Sequence, residues 1–285
     1  MSGPPPGEDL AEAARLAREQ APALCYRAPG ASESCAWHHG LWPTLRLLGV
    51  ASEPALHGAF LRGALAAVPG NRPRVLLSGA ADHALLALAL AAFADRTPEI
   101  TVLDVCETPL MLNRWYAARA GVDIATVRSD ILEYRRAASF DAICTHAFLS
   151  HFDPSGRAAL AAAWHAMLRP GGRVITVNRL RPGLAPQWVG FSVDQVWAYR
   201  ARVEEAARRT PVDYPGLARA VEKYAGRQSV FPIGSARELQ ALFENAGFAI
   251  EQLAVGPMDN APQPGFSVPT MPGRDDYARV IAVRR

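Results

Sequence analysis

Two aspartates and two histidines stand where short apolar segments end, and each is a residue type that can do chemistry there. Asp104 lies in "EITVLDV" (99–105), where a carboxylate can accept both hydroxyls of a ribose. Asp130 follows "DIATVRS" (123–129). Its carboxylate can accept the exocyclic amine of an adenine, with Ile131 and Leu132 beside it to wall the ring. His146 falls in "FDAICTHA" (140–147), and His151 comes five residues later. An imidazole titrates near neutrality, so either can serve as a general base. Plainer roles stand beside these: a solvated acid at a strand end, a polar surface histidine, a helix cap.

A fifth feature is the turn "SGAADH" in "RVLLSGAADHALLALAL" (74–90). Ser78, Gly79, Ala80 and Ala81 keep side-chain bulk low, so a ligand can approach the backbone. The helix that follows offers free N–H groups to an anion. The same small residues also let a helix pack closely on a strand. Upstream, "CAWHHGLW" (35–42) places Trp37, His38 and His39 together. They are suited either to line a pocket or to dock a helix through its tryptophans. The four cysteines, Cys25, Cys35, Cys106 and Cys144, show neither CxxC nor even spacing. That spacing predicts no metal site and no disulfide framework, and Cys144 reads as a small core residue.

The segments that carry these residues alternate between strand and helix. Strands are expected at 74–79, 99–105, 123–129, 140–147 and 172–180, with helices at 82–94, 108–120 and 154–168. Short apolar strands joined by helices pair in parallel with both faces covered. Right-handed crossovers then give a doubly wound, Rossmann-like α/β sheet. Residues 1–70 form a helical N-terminal cap, in which Ser52 is placed to cap a helix with Pro54 in its first turn. The core spans 71–182, a helical insert rich in aromatics spans 183–233, and residues 234–285 return to the core. A long Pro-rich loop, "PMDNAPQPGFSVPTMPGRDD" (257–276), separates the last two strands.

Composition narrows the partners. The chain has 285 residues, half of them apolar, and a formal charge of +3. No basic block marks a nucleic-acid surface. The longest apolar run, 84–94, is too short to span a bilayer, and the N-terminus lacks a secretory pattern. A cytoplasmic protein acting on a small molecule is expected, with a homodimer left open.

The run "RVLLSGAAD", "ITVLDV", "SDILEY", "FDAICTHAFLSHF", "LRPGGRVITVN" resembles the successive motifs of the class I S-adenosylmethionine-dependent methyltransferases. Late in the chain, "LFENAGFAIEQL" and "YARVIAVRR" resemble that family's last helix and antiparallel strands. The resemblance implies a seven-stranded, mostly parallel sheet with S-adenosylmethionine as cofactor. It also implies that Ser78, Gly79, Ala80 and Ala81 contact the methionine part. Asp104 and Val105 would then hold the ribose, and Asp130 and Ile131 the adenine. His146 and Phe148 would lie near the sulfonium and the acceptor, with His146, His151 and His39 as candidate catalytic residues. Leu77 replaces the family's common acidic residue, and Ala81 and His83 replace later glycines. The implied reaction is in-line methyl transfer to O, N or S of a small molecule. Alternatives are a cyclase or lyase releasing methylthioadenosine and a non-catalytic member of the fold.

Overall fold

The structure, a computed structural model, describes residues 9–257 and 276–285. Most of the expected 257–276 loop and of the Pro/Gly-rich N-terminal stretch therefore lies outside the described residues. The front of the chain is helical: α1 (Leu10–Leu24), α2 (Ala36–His39), α3 (Trp42–Leu47) and α4 (Gly58–Ala66). Alternation follows with β1 (Arg74–Ser78), α5 (Ala84–Ala92), β2 (Glu99–Asp104), α6 (Glu107–Ala120) and β3 (Ala125–Arg128). Then come β4 (Phe140–His146), α7 (Pro154–Met167) and β5 (Leu168–Arg179). The insert holds β6 (Val189–Gly190), α8 (Val193–Arg209), α9 (Leu217–Arg227) and β7 (Ser229–Val230). The chain closes with α10 (Ala236–Asn245), β8 (Phe248–Gly256) and β9 (Tyr277–Arg284).

Seven strands form one sheet in the order β3-β2-β1-β4-β5-β9-β8. The first five in this order pair in parallel, and β9 runs antiparallel to both β5 and β8. Winding proceeds outward from β1 to β3 and then crosses back to β4, so the switch point lies between β1 and β4. A crevice beyond the carboxyl ends of those strands is the place this topology reserves for a ligand.

Successive strand side chains point to opposite faces, and both faces are buried. Val75 and Leu77 pack with Leu61, Leu86 and Leu110 of α4, α5 and α6. Leu76 points the other way, to Leu160 and Trp164 of α7 and Phe243 of α10. Leu77 is therefore a core residue, 1% exposed; its replacement of an acidic residue gives the sheet an apolar contact. Helix starts follow their sequence signals: Asp153 Oδ1 accepts from Gly156 N before Pro154 in α7, and Ser192 with Gln195 makes a capping box on α8.

A third apolar cluster joins the front of the chain to the insert. Leu41, Trp42, Leu45 and Val50 pack with Tyr199, Val203, Val221 and Tyr224. The short β6–β7 pair closes the neck of the insert, Val189 facing Val230. Two expectations need correction. Ser52 does not cap a helix: Glu53 precedes a 3₁₀ turn at Pro54–His57, and Ser52 Oγ lies 3.3 Å from the Tyr277 hydroxyl. Strand β5 begins at Leu168 instead of 172, because "LRPGG" runs into the sheet across an irregular register opposite Phe140.

The cap is also tied to the core by charge. Arg46 of α3 reaches Asp82 Oδ2 at 2.8 Å and Glu53 Oε2 at 2.6 Å, with its side chain 1% exposed and that of Asp82 2%. Asp82 in turn accepts at Oδ1 from Ala84 N, the first residue of α5, at 2.9 Å. Burial alone would push the Asp82 pKa up, but the Arg46 guanidinium and other contacts outweigh it and hold the carboxyl below its usual range. Removing one partner of such a pair strands a buried charge. Arg46→Met should therefore cost about 3–5 kcal/mol in urea unfolding followed by circular dichroism; a loss under about 1 kcal/mol would show the pair to be dispensable.

Candidate active site

Strand ends and roof enclose a cavity of about 470 Å³, within the range of small-molecule sites. Its floor is built from Gly79, Ala80 and Ala81 after β1, Asp104 and Val105 at β2, and His146, Ala147 and Phe148 at β4. Arg179 and Arg181 enter from the end of β5. The roof comes from the third apolar cluster and its surroundings: Trp37, His38, His39 and Trp42 from the front, Trp188, Tyr224 and Gln228 from the insert.

The glycine turn has a steric reason. Gly79 has φ of +75°, and a Cβ placed on it would lie 2.5 Å from Cε2 of Phe148. Phe148 is held there by Ala147, whose φ of +55° turns the chain back over the β1 end. The Ala81 and His83 positions, where the family would carry glycines, are filled otherwise. His83 is buried and stacks on Tyr116 at 4.9 Å, and burial lowers its pKa to about 4.

Asp104 bridges two turns. Its Oδ2 accepts from Ala80 N at 2.9 Å and its Oδ1 from Cys106 N at 2.7 Å. Burial raises its pKa to about 6 against the lowering effect of His39 and these two N–H groups. A carboxylate has about four acceptor positions, so capacity is left for hydroxyl donors from a ligand. Of the described lining residues only Asp82 and Asp104 carry carboxylates, and Arg46 already neutralises Asp82.

The histidines separate by environment. His146 lines the floor with its Nε2 buried and unbonded, and burial lowers its pKa to about 4. His151 presents its surface to the cavity; surrounding protein desolvates it and the charges of Arg181 and His39 add to the effect, so its pKa falls below the usual imidazole range. His38 stacks between Trp42 and Tyr224 at 5.4 and 5.6 Å, and its Nδ1 lies 2.8 Å from Gln228 Nε2. His39 faces sulfur. Its Nδ1 is 3.6 Å from Cys25 Sγ. Burial disfavours its charged form, but hydrogen bonding to Cys106 and Cys35 outweighs that and holds the pKa up at about 10.

Some expected site residues lie elsewhere. Ser78 is fully buried on the far face of β1, where its hydroxyl accepts from Trp164 Nε1 at 3.2 Å. Asp130 and Ile131 are not among the lining residues. Asp130 is exposed and accepts from Leu132 N at 2.8 Å, while Ile131 packs beside Leu76 and Leu103 in the core. The cysteines lie closer together than their sequence spacing shows. Cys25, Cys35 and Cys106 converge with His39, their ligand atoms all within 4.8 Å of one another. Three separate segments supply them, so no local spacing could display the set. Arg179 and Arg181 gave no sequence signal beyond following a strand.

Residues 83–172 match a family described as "Methyltransferase domain". These residues carry a methyltransferase domain with the fold of the class I S-adenosylmethionine-dependent enzymes. No curated protein matches the chain by sequence. Among solved structures, it is similar to Burkholderia thailandensis 1,6-didemethyltoxoflavin-N1-methyltransferase bound to its substrate and S-adenosylhomocysteine. That match has 18% identity, a TM-score of 0.53, and covers 98% of this chain and 92% of the other. A geranyl diphosphate methyltransferase in complex with GPP and sinefungin matches at 14% identity and TM-score 0.53, covering 81% of this chain and 78% of that one. Both likenesses are likenesses of fold.

S-adenosylmethionine, the cofactor of this family, fits the floor. Small residues line the β1 end, the Asp104 carboxylate has unused acceptor capacity at the β2 end, and the buried Nε2 of His146 has no protein partner. The turn itself is testable. Gly79→Ala should weaken cofactor binding at least tenfold in calorimetry, and adding Phe148→Ala should recover part of the loss, leaving the strain of the positive φ. No recovery in the double variant would show that Phe148 is not what requires the glycine.

Proposed function

We propose that this protein methylates a small molecule that carries a flat or apolar body and an anionic group. The observation that carries the reading is the cavity itself, in which an aromatic roof faces a cofactor floor with arginines at one side. Trp37, Trp42, Trp188 and Tyr224 offer stacking surface, and Arg179 and Arg181 bring positive charge to the end of β5. The two enzymes of similar fold act on small molecules, as their names state, which supports the size of the acceptor.

Bound S-adenosylmethionine supplies an electrophilic methyl group for in-line displacement. Asp104 would accept hydrogen bonds from the ribose hydroxyls while held by Ala80 N and Cys106 N. Gly79 and Ala80 give close passage to the aminoacyl end, while Phe148 covers the turn. The roof excludes water and orients the acceptor, which is where much of the rate enhancement of a two-substrate reaction arises. His151 takes the acceptor's proton. Its depressed pKa leaves the imidazole neutral at pH 7, with a lone pair free to accept a proton. His146 lines the floor closer to β1 and helps shape the site around the transferred group.

A second reading has one feature in its favour. Leu77 is apolar and Asp82 is paired with Arg46, so neither offers a free carboxylate to the aminoacyl ammonium. A loosely held tail suits a cyclase or lyase. Product analysis separates the two: S-adenosylhomocysteine formed only with a methyl acceptor supports transfer, and methylthioadenosine formed without one supports the lyase.

Asp104→Ala should weaken cofactor binding by about 1–3 kcal/mol in calorimetry; unchanged affinity would displace the site from this strand end. His151→Gln should slow transfer by about 10²–10⁴-fold with little change in cofactor affinity. A neutral base acts above its pKa and is lost as pH falls through it. The wild-type rate should therefore stay level from pH 8 to about 6 and fall only at lower pH. A decline centred near the ordinary imidazole value of about 6.5 would argue against His151 in this role.

A further inference from the structure

We infer that Cys25, Cys35, His39 and Cys106 form a structural Zn²⁺ site that pins the N-terminal helices to the rim of the active-site cavity. The four donors arrive from three places. Cys25 directly follows α1, Cys35 and His39 bracket the single turn of α2, and Cys106 is the N-cap of α6. Cys25 Sγ lies 3.6 Å from His39 Nδ1, and Cys35 Sγ lies 3.6 Å from Cys106 Sγ. These two pairs share no atom, so they are opposite edges of a four-cornered figure whose other edges stay within 4.8 Å. Zinc binds sulfur at about 2.3 Å and imidazole nitrogen at about 2.0–2.1 Å in a tetrahedron, whose edges are then about 3.5–3.8 Å. The donors already sit close to that figure.

Donor chemistry points the same way. Three thiolates and one imidazole are a soft S₃N set with no carboxylate, which suits zinc and not magnesium or calcium. Four protein ligands close the shell, as in structural and unlike catalytic zinc sites. Three of the chain's four cysteines meet here, while Cys144 lies alone in β4. The surroundings support charged sulfur. Thr108 Oγ1 is 3.1 Å from Cys25 Sγ, positioned to donate to a thiolate ligand. Cys106 stands at the N-terminus of the 14-residue helix α6, whose dipole favours a thiolate. On binding, three protons leave to solvent, one of them from the His39 imidazolium where it is paired with a thiolate, so that three thiolates and a neutral His39 hold the metal and no oxidant or reductant is needed.

The site has a mechanical consequence. Cys106 N holds Asp104 Oδ1, and Cys35 and His39 belong to the cavity wall. A metal here would fix the front helices, the β2 corner and the Asp104 carboxylate as one unit.

Full-length protein expressed with zinc and purified without chelators should carry about one zinc per chain by plasma mass spectrometry. Cys25→Ser and Cys106→Ser should lose most of it, and Cys144→Ser should keep it. Should a ligand variant misfold, cobalt exchange into the wild type decides. Co²⁺ should show thiolate charge-transfer bands and strong tetrahedral d–d bands, with faster proteolysis at the α1–α2 connection once the metal is stripped. Trace metal without cobalt bands, a different metal at full stoichiometry, or a disulfide among Cys25, Cys35 and Cys106 would overturn the assignment.

Discussion

The carboxylate of Asp104 is the constraint on which the rest of the site depends. Accepting from Ala80 N and from Cys106 N, it fastens the turn after β1 to the turn after β2. A buried carboxylate away from these donors would cost several kcal/mol, so the two turns are held at one separation. The floor inherits that geometry. Gly79 takes a positive φ because the chain must bend tightly there under Phe148, and the strained Ala147 places Phe148. One backbone arrangement thus positions a hydrogen-bonding end and a close-approach end of the same crevice.

The roof is a second unit with its own core. Residues from the front of the chain and from the insert pack on each other through Trp42, Tyr199 and Tyr224 more than on the sheet. Polar connections tie this unit down. Arg46 reaches from α3 to Asp82 beneath the floor, and the sulfur–histidine cluster joins α1 and α2 to the start of α6. A roof anchored at a few polar points, with a narrow β6–β7 neck, can shape an acceptor pocket without altering the sheet. That division agrees with a fold whose core is recognisable and whose acceptor specificity lies in added helices.

Much of the sheet was legible because its strands are short apolar runs ended by Gly, Asp or His, and helical periodicity fills the gaps between them. That Gly79, Asp104 and His146 line one cavity was legible for the same reason, since topology brings strand ends together. Legibility failed where tertiary packing chose between local options. Ser78 looked like part of the turn, but alternation aims its hydroxyl at Trp164 on the opposite face. Ile131 followed a strand end yet was drawn into the core beside Leu103. Ser52 had the chemistry of a cap, but the chain makes a 3₁₀ turn one residue later. The cysteine cluster was invisible because its members come from three segments and only Cys35 and His39 are close in sequence.

The account rests on S-adenosylmethionine occupying the crevice at the carboxyl ends of β1, β2 and β4. Isothermal titration of the purified full-length protein with S-adenosylmethionine tests this most directly. The account predicts one saturable site per chain, competed by S-adenosylhomocysteine and weakened when Asp104 is replaced. No heat of binding from folded protein would contradict it.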